Sequence, residues 1–290
     1  MEGGSYFEGP RWHEGSWWVS DFYRRSVSRV LPDGGEDVVL EVENQPSGLG
    51  WLPDGSLLVV SMKDQRLLRF SDGSVSTHAD LSDACGGHLN DLVVDASGRA
   101  FVGDFGFDLM GGGAPSWSSL KRVDPDGTVT VAAEDLHFPN GAVITPDGGT
   151  LIVGETWGNR FTAFDIATDG SLSNRRVWGS FGPEPVGDST GELAGQVVVG
   201  PDGCALDADG HIWVADGFNP RVLRVAPGGT IVEEIAAPDG MGVFACALGG
   251  DDGRDLLMCC APDFYEHTRA PVREAVLVTT KVAVPHAGLP

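Results

Sequence analysis

The stretch Gly141–Glu155, GAVITPDGGTLIVGE, is an apolar run, a Pro-Asp-Gly-Gly turn and a second apolar run that ends on an acid. Two such runs around a turn of this chemistry predict a β-hairpin. The pattern recurs as GLGWLPDGSLLVVS (48–61), DLVVDASGRAFVGD (91–104) and CALDADGHIWVAD (204–216). EGPRWHEGSWWVSD (8–21) fits it one residue shorter and FACALGGDDGRDLLMCC (244–260) fits it more loosely, which makes six units. Their turn glycines are Gly15, Gly55, Gly98, Gly148, Gly210 and Gly253, spaced 40, 43, 50, 62 and 43 residues apart.

Each interval has room for about four short strands. The sequence between hairpins supplies candidates for the outer ones, such as SVSRVLPDG, RLLRFSDG, LKRVDPDGTVTVA, RFTAFDI and RVLRVAPGGTIVEEI. No convincing amphipathic helix interrupts them. A β-sandwich or a solenoid is the competing architecture. Radial closure is favoured because it leaves no long exposed edges. The expectation is therefore an all-β, six-bladed β-propeller spanning residues 1–290 as a single domain. The longer intervals contain Gly106 to Ser119 and Gly182 to Gln196, which are expected to be lids over an axial pocket.

Lys and Arg number 19 against 42 Asp and Glu, and the net charge of −23 repels nucleic-acid backbones and anionic membrane surfaces. The 42 Gly and 18 Pro read as turns rather than disorder, because apolar residues make up 41% of the chain and recur throughout. The five cysteines, 85, 204, 246, 259 and 260, show no C-x-x-C spacing and are expected to be reduced and mostly buried. With neither a leader pattern nor a long apolar run in the sequence, a cytoplasmic location is expected.

Equivalent positions on the innermost strands of a propeller face the central channel at similar height. Counting eight residues back from the turn glycine gives Ser47, Asn90, Asn140, Asp202 and Ala245, and in the shorter first unit the equivalent is Glu8. Four of these six are carboxylates or carboxamides, hard oxygen donors suited to Ca²⁺ or Mg²⁺ and less selectively to Mn²⁺ or Zn²⁺. For Asn140-Gly141 and Asp202-Gly203 the competing explanation is a tight turn. That explanation accounts poorly for Glu8 and Asn90, and not at all for the shared register.

The landmarks EGPRW with Glu8, HLNDLVVDASGRAFVGD with Asn90, FPNGAVITPDGGTLIVGET with Asn140 and PDGCALDADGHIWVAD with Asp202 resemble the senescence marker protein-30, gluconolactonase and luciferin-regenerating enzyme family over nearly the whole chain. The resemblance implies a six-bladed propeller with one divalent ion on its axis, Ca²⁺ ahead of Zn²⁺, Mg²⁺ or Mn²⁺. It implies Glu8, Asn140 and Asp202 as metal ligands, Asn90 touching the metal or its water, and Asp202 as general base. Members acting on sugar-acid lactones carry Arg two residues before the equivalent of Asn90, where this chain has His88. The expected substrate is thus a lactone or ester less polar than a sugar lactone, contacted by Asn90, His88 and Asp108, the last from the first long loop. Phe105, Phe107, Trp117 and Trp157 are candidates to line its pocket or simply to pack.

No G-x-S-x-G elbow or P-loop is present. The expected activity is metal-dependent lactone hydrolysis. The alternatives are phosphotriester or fluorophosphate hydrolysis, a non-hydrolytic enzyme on the same scaffold, and a non-enzymatic binding propeller.

Overall fold

The computed structural model describes residues 1–31 and 33–288. Six four-stranded antiparallel sheets make the six blades of a β-propeller. The innermost strands are Phe7–His13, Pro46–Trp51, Leu89–Val94, Pro139–Ile144, Pro201–Leu206 and Gly242–Gly249, in blades 1 to 6. Each continues through its expected turn glycine into the second strand. All six turn glycines have positive φ, from 69° to 85°, which a side chain would disfavour. In blade 1 the loop is the residue pair Glu14 and Gly15, both at positive φ, and this tighter turn is why that unit reads one residue short.

Blade 6 takes only three strands from the C-terminal part of the chain. Its outermost strand is Glu2–Gly4, paired with Ala275–Lys281, so the N-terminal segment closes the circle. Three residues, EGG, carry no strand signal, and the sequence does not reveal this closure. Among the described residues there are also two short α-helices, Thr190–Ala194 and Glu266–Arg269, and one 3₁₀ turn, Ser82–Ala84. The first lies in the expected 182–196 insertion, where the Ser189 hydroxyl caps it by accepting from Glu192 N. The second lies in a third insertion, between the last two strands, that was not anticipated. The expected loop 106–119 ends earlier, at the strand Ser118–Val123. No helix among the described residues is long and apolar enough to cross a membrane.

The acid that ends each of four hairpins has a positional task. Asp21, Asp104, Glu155 and Asp216 are at most 1% exposed. Asp21 accepts from Ser5 N and Tyr6 N, Glu155 from His137 N (2.8 Å) and Asp216 from Gly200 N (3.2 Å). These carboxylates grip the backbone just before inner strands 1, 4 and 5 and so fix where those strands enter the channel. Charge neutralisation comes from Lys121 on Asp104, Arg160 on Glu155 and Arg221 on Asp216. Buried charges of this kind persist only when paired.

Candidate functional site

Glu8, Asn90, Asn140 and Asp202, from blades 1, 3, 4 and 5, are each the second residue of an inner strand and are at most 9% exposed. Ser47 holds the same place in blade 2, whereas Ala245 is the fourth residue of its strand. Every inner hairpin breaks register at this level, for example between Glu8 and Arg11, Leu89 and Leu92, Pro139 and Ala142, and Pro201 and Cys204. Such bulges bend a strand and re-aim its side chains.

The side chains form a chain of contacts across blades. Asn90 Nδ2 donates to Asn140 Oδ1 (2.8 Å), and Asn140 Nδ2 donates to Asp202 Oδ1 (2.7 Å) and to Thr156 Oγ1 (3.1 Å). Thr156 in turn donates to Pro201 O at 2.8 Å, and Ser47 Oγ donates to Asn90 Oδ1 at 3.3 Å. Gly9 N and Gly203 N donate to Glu8 and Asp202 respectively.

Gly141 and Gly203 are not turn residues. They lie within inner strands, and neither has positive φ. A Cβ on Gly141 would come within 2.3 Å of Asp202 O, and one on Gly203 within 2.6 Å of the Ala245 Cβ. The glycines after Asn140 and Asp202 are there because adjacent inner strands crowd the axis, which removes the turn explanation for those two residues.

Glu8 and Asp202 have no Lys or Arg partner among the described residues. Burial, then the Asp202 and Asp91 charges, push the Glu8 carboxyl well above the usual carboxylate range. Burial, with Asp91 and Asp216 adding to it, raises Asp202 to about 8 even though the Asn140 hydrogen bond opposes the shift. Two buried carboxylates that repel each other, flanked by two carboxamide oxygens, fit a divalent cation of the hard, oxygen-seeking kind.

Asp91, next to Asn90, is held by a buried Arg11, whose Nη2 is 2.9 Å from Asp91 Oδ1 and 2.7 Å from Leu92 O. This pair links blades 1 and 3 past Gly48, whose missing side chain leaves room for Asp91. A cavity of about 450 Å³, lined by Arg11, Trp12, Val94, Ile144, Leu206 and His286, opens at the opposite mouth of the channel, away from the acidic ring.

His88 is half-buried, 5.9 Å from the Phe105 ring, and its neighbours include Lys63, Asp108 and Glu266. Burial, then Lys63, lowers its pKa, so its imidazole is neutral near pH 7. Asp108, expected as a substrate contact, is exposed near His88, and its Oδ1 accepts from Gly111 N (2.8 Å) within its own loop. Phe105, Phe107 and Trp157 are buried packing residues, while Trp117 is 49% exposed and lies over His137 at 3.5 Å between ring centres.

Asp207, Asp209 and His211 also cluster closely enough to hold a metal. Arg224 already fills that role, at 2.7 Å from Asp207 Oδ2 and 3.0 Å from Asp209 Oδ2, and the cluster belongs to the blade 5 hairpin turn.

Thr156 and the Arg11–Asp91 pair are the residues of this site that sequence reasoning missed. The only signal was positional, since Thr156 follows the acid that ends its hairpin and Asp91 follows Asn90.

The sequence matches the SMP-30/Gluconolactonase/LRE-like region over residues 7–261. It is 31% identical to pentonolactonase XacC of Haloferax volcanii over 88% of this chain and 81% of that protein. It is 26% identical to a 6-deoxy-6-sulfogluconolactonase of Pseudomonas putida over 82% of this chain and 76% of that one. The structure superposes on a luciferin-regenerating enzyme with a TM-score of 0.77 at 19% identity, over 99% of this chain and 94% of that chain.

Proposed function

Since the chain belongs to the SMP-30/gluconolactonase/LRE-like family, we propose that it is a divalent-metal-dependent hydrolase of small lactones. The observation that carries this reading is the ring itself: two buried, mutually repelling carboxylates with no Lys or Arg bound to them among the described residues, joined to two carboxamides. The names of the pentonolactonase and sulfogluconolactonase relatives support the reaction class.

Glu8, Asn140 and Asp202 would hold the ion, with Asn90 touching it or its water, and the all-oxygen donor set favours Ca²⁺. A bound divalent ion supplies Lewis acidity toward the lactone carbonyl. Asp202 accepts a proton from the attacking water as the water oxygen bonds to the carbonyl carbon, and returns it to the ring oxygen as the carbon–oxygen bond breaks. Neutral His88 orients substrate as a hydrogen-bond donor. Without an arginine in its place, and with the aromatic rings of Phe105 and Phe138 4.6 Å apart beside it, the site favours a lactone less polar than a sugar lactone.

The test is hydrolysis of sugar, aliphatic and aromatic lactones and one phosphotriester, before and after chelation and with single metals restored. Chelator-sensitive lactone opening is expected. Turnover of the phosphotriester alone would reassign the reaction, and no turnover by folded, metal-loaded protein would refute hydrolysis.

A further inference from the structure

Two residues before Glu8, at the mouth side of the same strand path, stands Tyr6. Its carbonyl accepts from Phe22 N at 2.9 Å, which continues the pairing of Phe7 with Asp21 and Glu8 with Ser20. Side chains two apart along such a path share a face, so Tyr6 lies roughly 7 Å above Glu8 toward the mouth.

The Tyr6 ring is locked. It is 4% exposed, with ring centres 5.0 Å from Phe22, 5.8 Å from Tyr23 and 5.0 Å from Phe244. Its backbone N–H is tied to Asp21. The neighbouring Tyr23 hydroxyl donates to Phe264 O at 2.5 Å, but the Tyr6 hydroxyl has no hydrogen-bond partner among the described residues. Glu8 and Asp202 are the nearest-acting charges on it, in keeping with its place two residues before Glu8. A phenol with a buried ring ordinarily finds a hydrogen-bond partner for its hydroxyl, and this one is left able to donate to a bound molecule.

On blades 2 to 5 the positions two residues before the ring divide into two arcs. On blades 2 and 3 stand Gln45, turned away with its Nε2 3.3 Å from Met62 Sδ, and His88. On blades 4 and 5 stand Phe138 and Gly200, and a Cβ on Gly200 would sit 2.3 Å from the Phe218 ring, so an aromatic face occupies that place. Free donors therefore lie on blades 1 and 3, and hydrocarbon lies opposite.

We propose that the Tyr6 hydroxyl is a substrate-contacting residue that donates to an oxygen substituent on the lactone ring beside the carbonyl, and that the site selects a lactone with one polar edge and one hydrocarbon edge. This inference rests on the lactone-hydrolase reading above. At neutral pH a phenol is a donor, and its rigid seat means little side-chain entropy is lost on binding.

The test compares wild type with Tyr6→Phe on α-hydroxy-γ-butyrolactone and γ-butyrolactone, both enzymes loaded with the same metal. The ratio of kcat/KM for the hydroxylated over the parent lactone is expected to fall about tenfold in Tyr6→Phe, the loss of roughly one good hydrogen bond. Calorimetric affinity for the non-hydrolysed α-hydroxy-γ-butyrolactam is expected to weaken by a similar factor, with metal affinity unchanged. An unchanged ratio in an active wild type would overturn the Tyr6 role alone. A shift in metal affinity would also overturn it, since Tyr6 would then serve Glu8 or Asp202 and not the substrate. A wild type that opens neither lactone, nor any other lactone, would bring down the hydrolase reading and this inference with it.

Discussion

Asn140 Nδ2 donates to Asp202 Oδ1 at 2.7 Å, so a carboxamide of blade 4 orients a carboxylate of blade 5 across 62 residues of sequence. Asn140 is itself held by Thr156, whose hydroxyl is anchored on Pro201 O beside Asp202. The two side chains are thus mechanically one unit. Replacing the carboxylate removes both a proposed ion ligand and the proposed base, and Asp202→Asn and Asp202→Ala should each lower kcat/KM by at least about 10³-fold. Metal affinity measured by calorimetry should fall at least about tenfold, with circular dichroism unchanged. Substantial turnover by either purified variant would remove Asp202 from its assigned role.

The raised Asp202 and Glu8 carboxyls make the metal-free protein sensitive to pH in a definite direction. A group whose pKa is higher in the folded than in the unfolded chain keeps its proton longer when folded, so its stabilising contribution is complete below the unfolded value and is lost as pH rises. For Asp202 the loss runs from about pH 4, the ordinary carboxylate value, to about 8, where the folded group ionises. In excess chelator the melting temperature should therefore fall from pH 6 to pH 8, by roughly 2 °C per pH unit for one retained proton. Asp202→Asn should flatten that slope, and saturating divalent ion should abolish it, because binding requires the ionised ligands. A chelated wild type whose melting temperature climbs over this range would contradict the assignment.

The blade count and the ring were legible in the sequence because both follow from strict spacing: a turn glycine every 40 to 62 residues, and a polar residue a fixed distance before it. Hairpins are local, and their chemistry is written in adjacent residues. Glu2–Gly4 pairs with a strand more than 270 residues away and depends on the closed circle for its existence, so no local pattern announces it. Thr156 and Tyr6 escaped for a related reason. Their roles depend on which oxygen lies across a blade boundary, and a threonine or tyrosine at a strand end looks like ordinary β-sheet composition. Asp108 was placed by loop alignment, and its loop folds back so that the carboxylate binds Gly111 N.

Beneath the ring, Arg11 and Asp91 are 6% and 5% exposed and joined at 2.9 Å. Asp91 adds negative potential to both Glu8 and Asp202, and Arg11 offsets part of it at Glu8. Removing one partner leaves a buried charge uncompensated. Arg11→Met should destabilise the protein by about 3–5 kcal/mol, and the double variant Arg11→Met with Asp91→Asn should recover much of that loss. Urea denaturation of the single and double variants measures the coupling. If the two effects simply add, the pair is not the electrostatic unit that its geometry describes.

His88 tests whether substrate polarity is set in the tier above the ring. It lies two residues before Asn90, uncharged, with Asp108 and Glu266 among its neighbours and Lys63 bound to Glu266 at 2.8 Å. An arginine there would be charged at every working pH and would present several donors in a fixed fork, with two carboxylates near enough to orient it. Those donors match the vicinal hydroxyls of a sugar lactone, and they cost desolvation when an apolar ring is bound instead. His88→Arg should therefore raise the kcat/KM ratio for gluconolactone over γ-butyrolactone by about tenfold, chiefly through opposite changes in KM. Substrate profiles of the two metal-loaded proteins provide the measurement. An unchanged ratio would show that the choice is made elsewhere, in the loops bearing Asp108 and Glu266 or on the aromatic arc of blades 4 and 5.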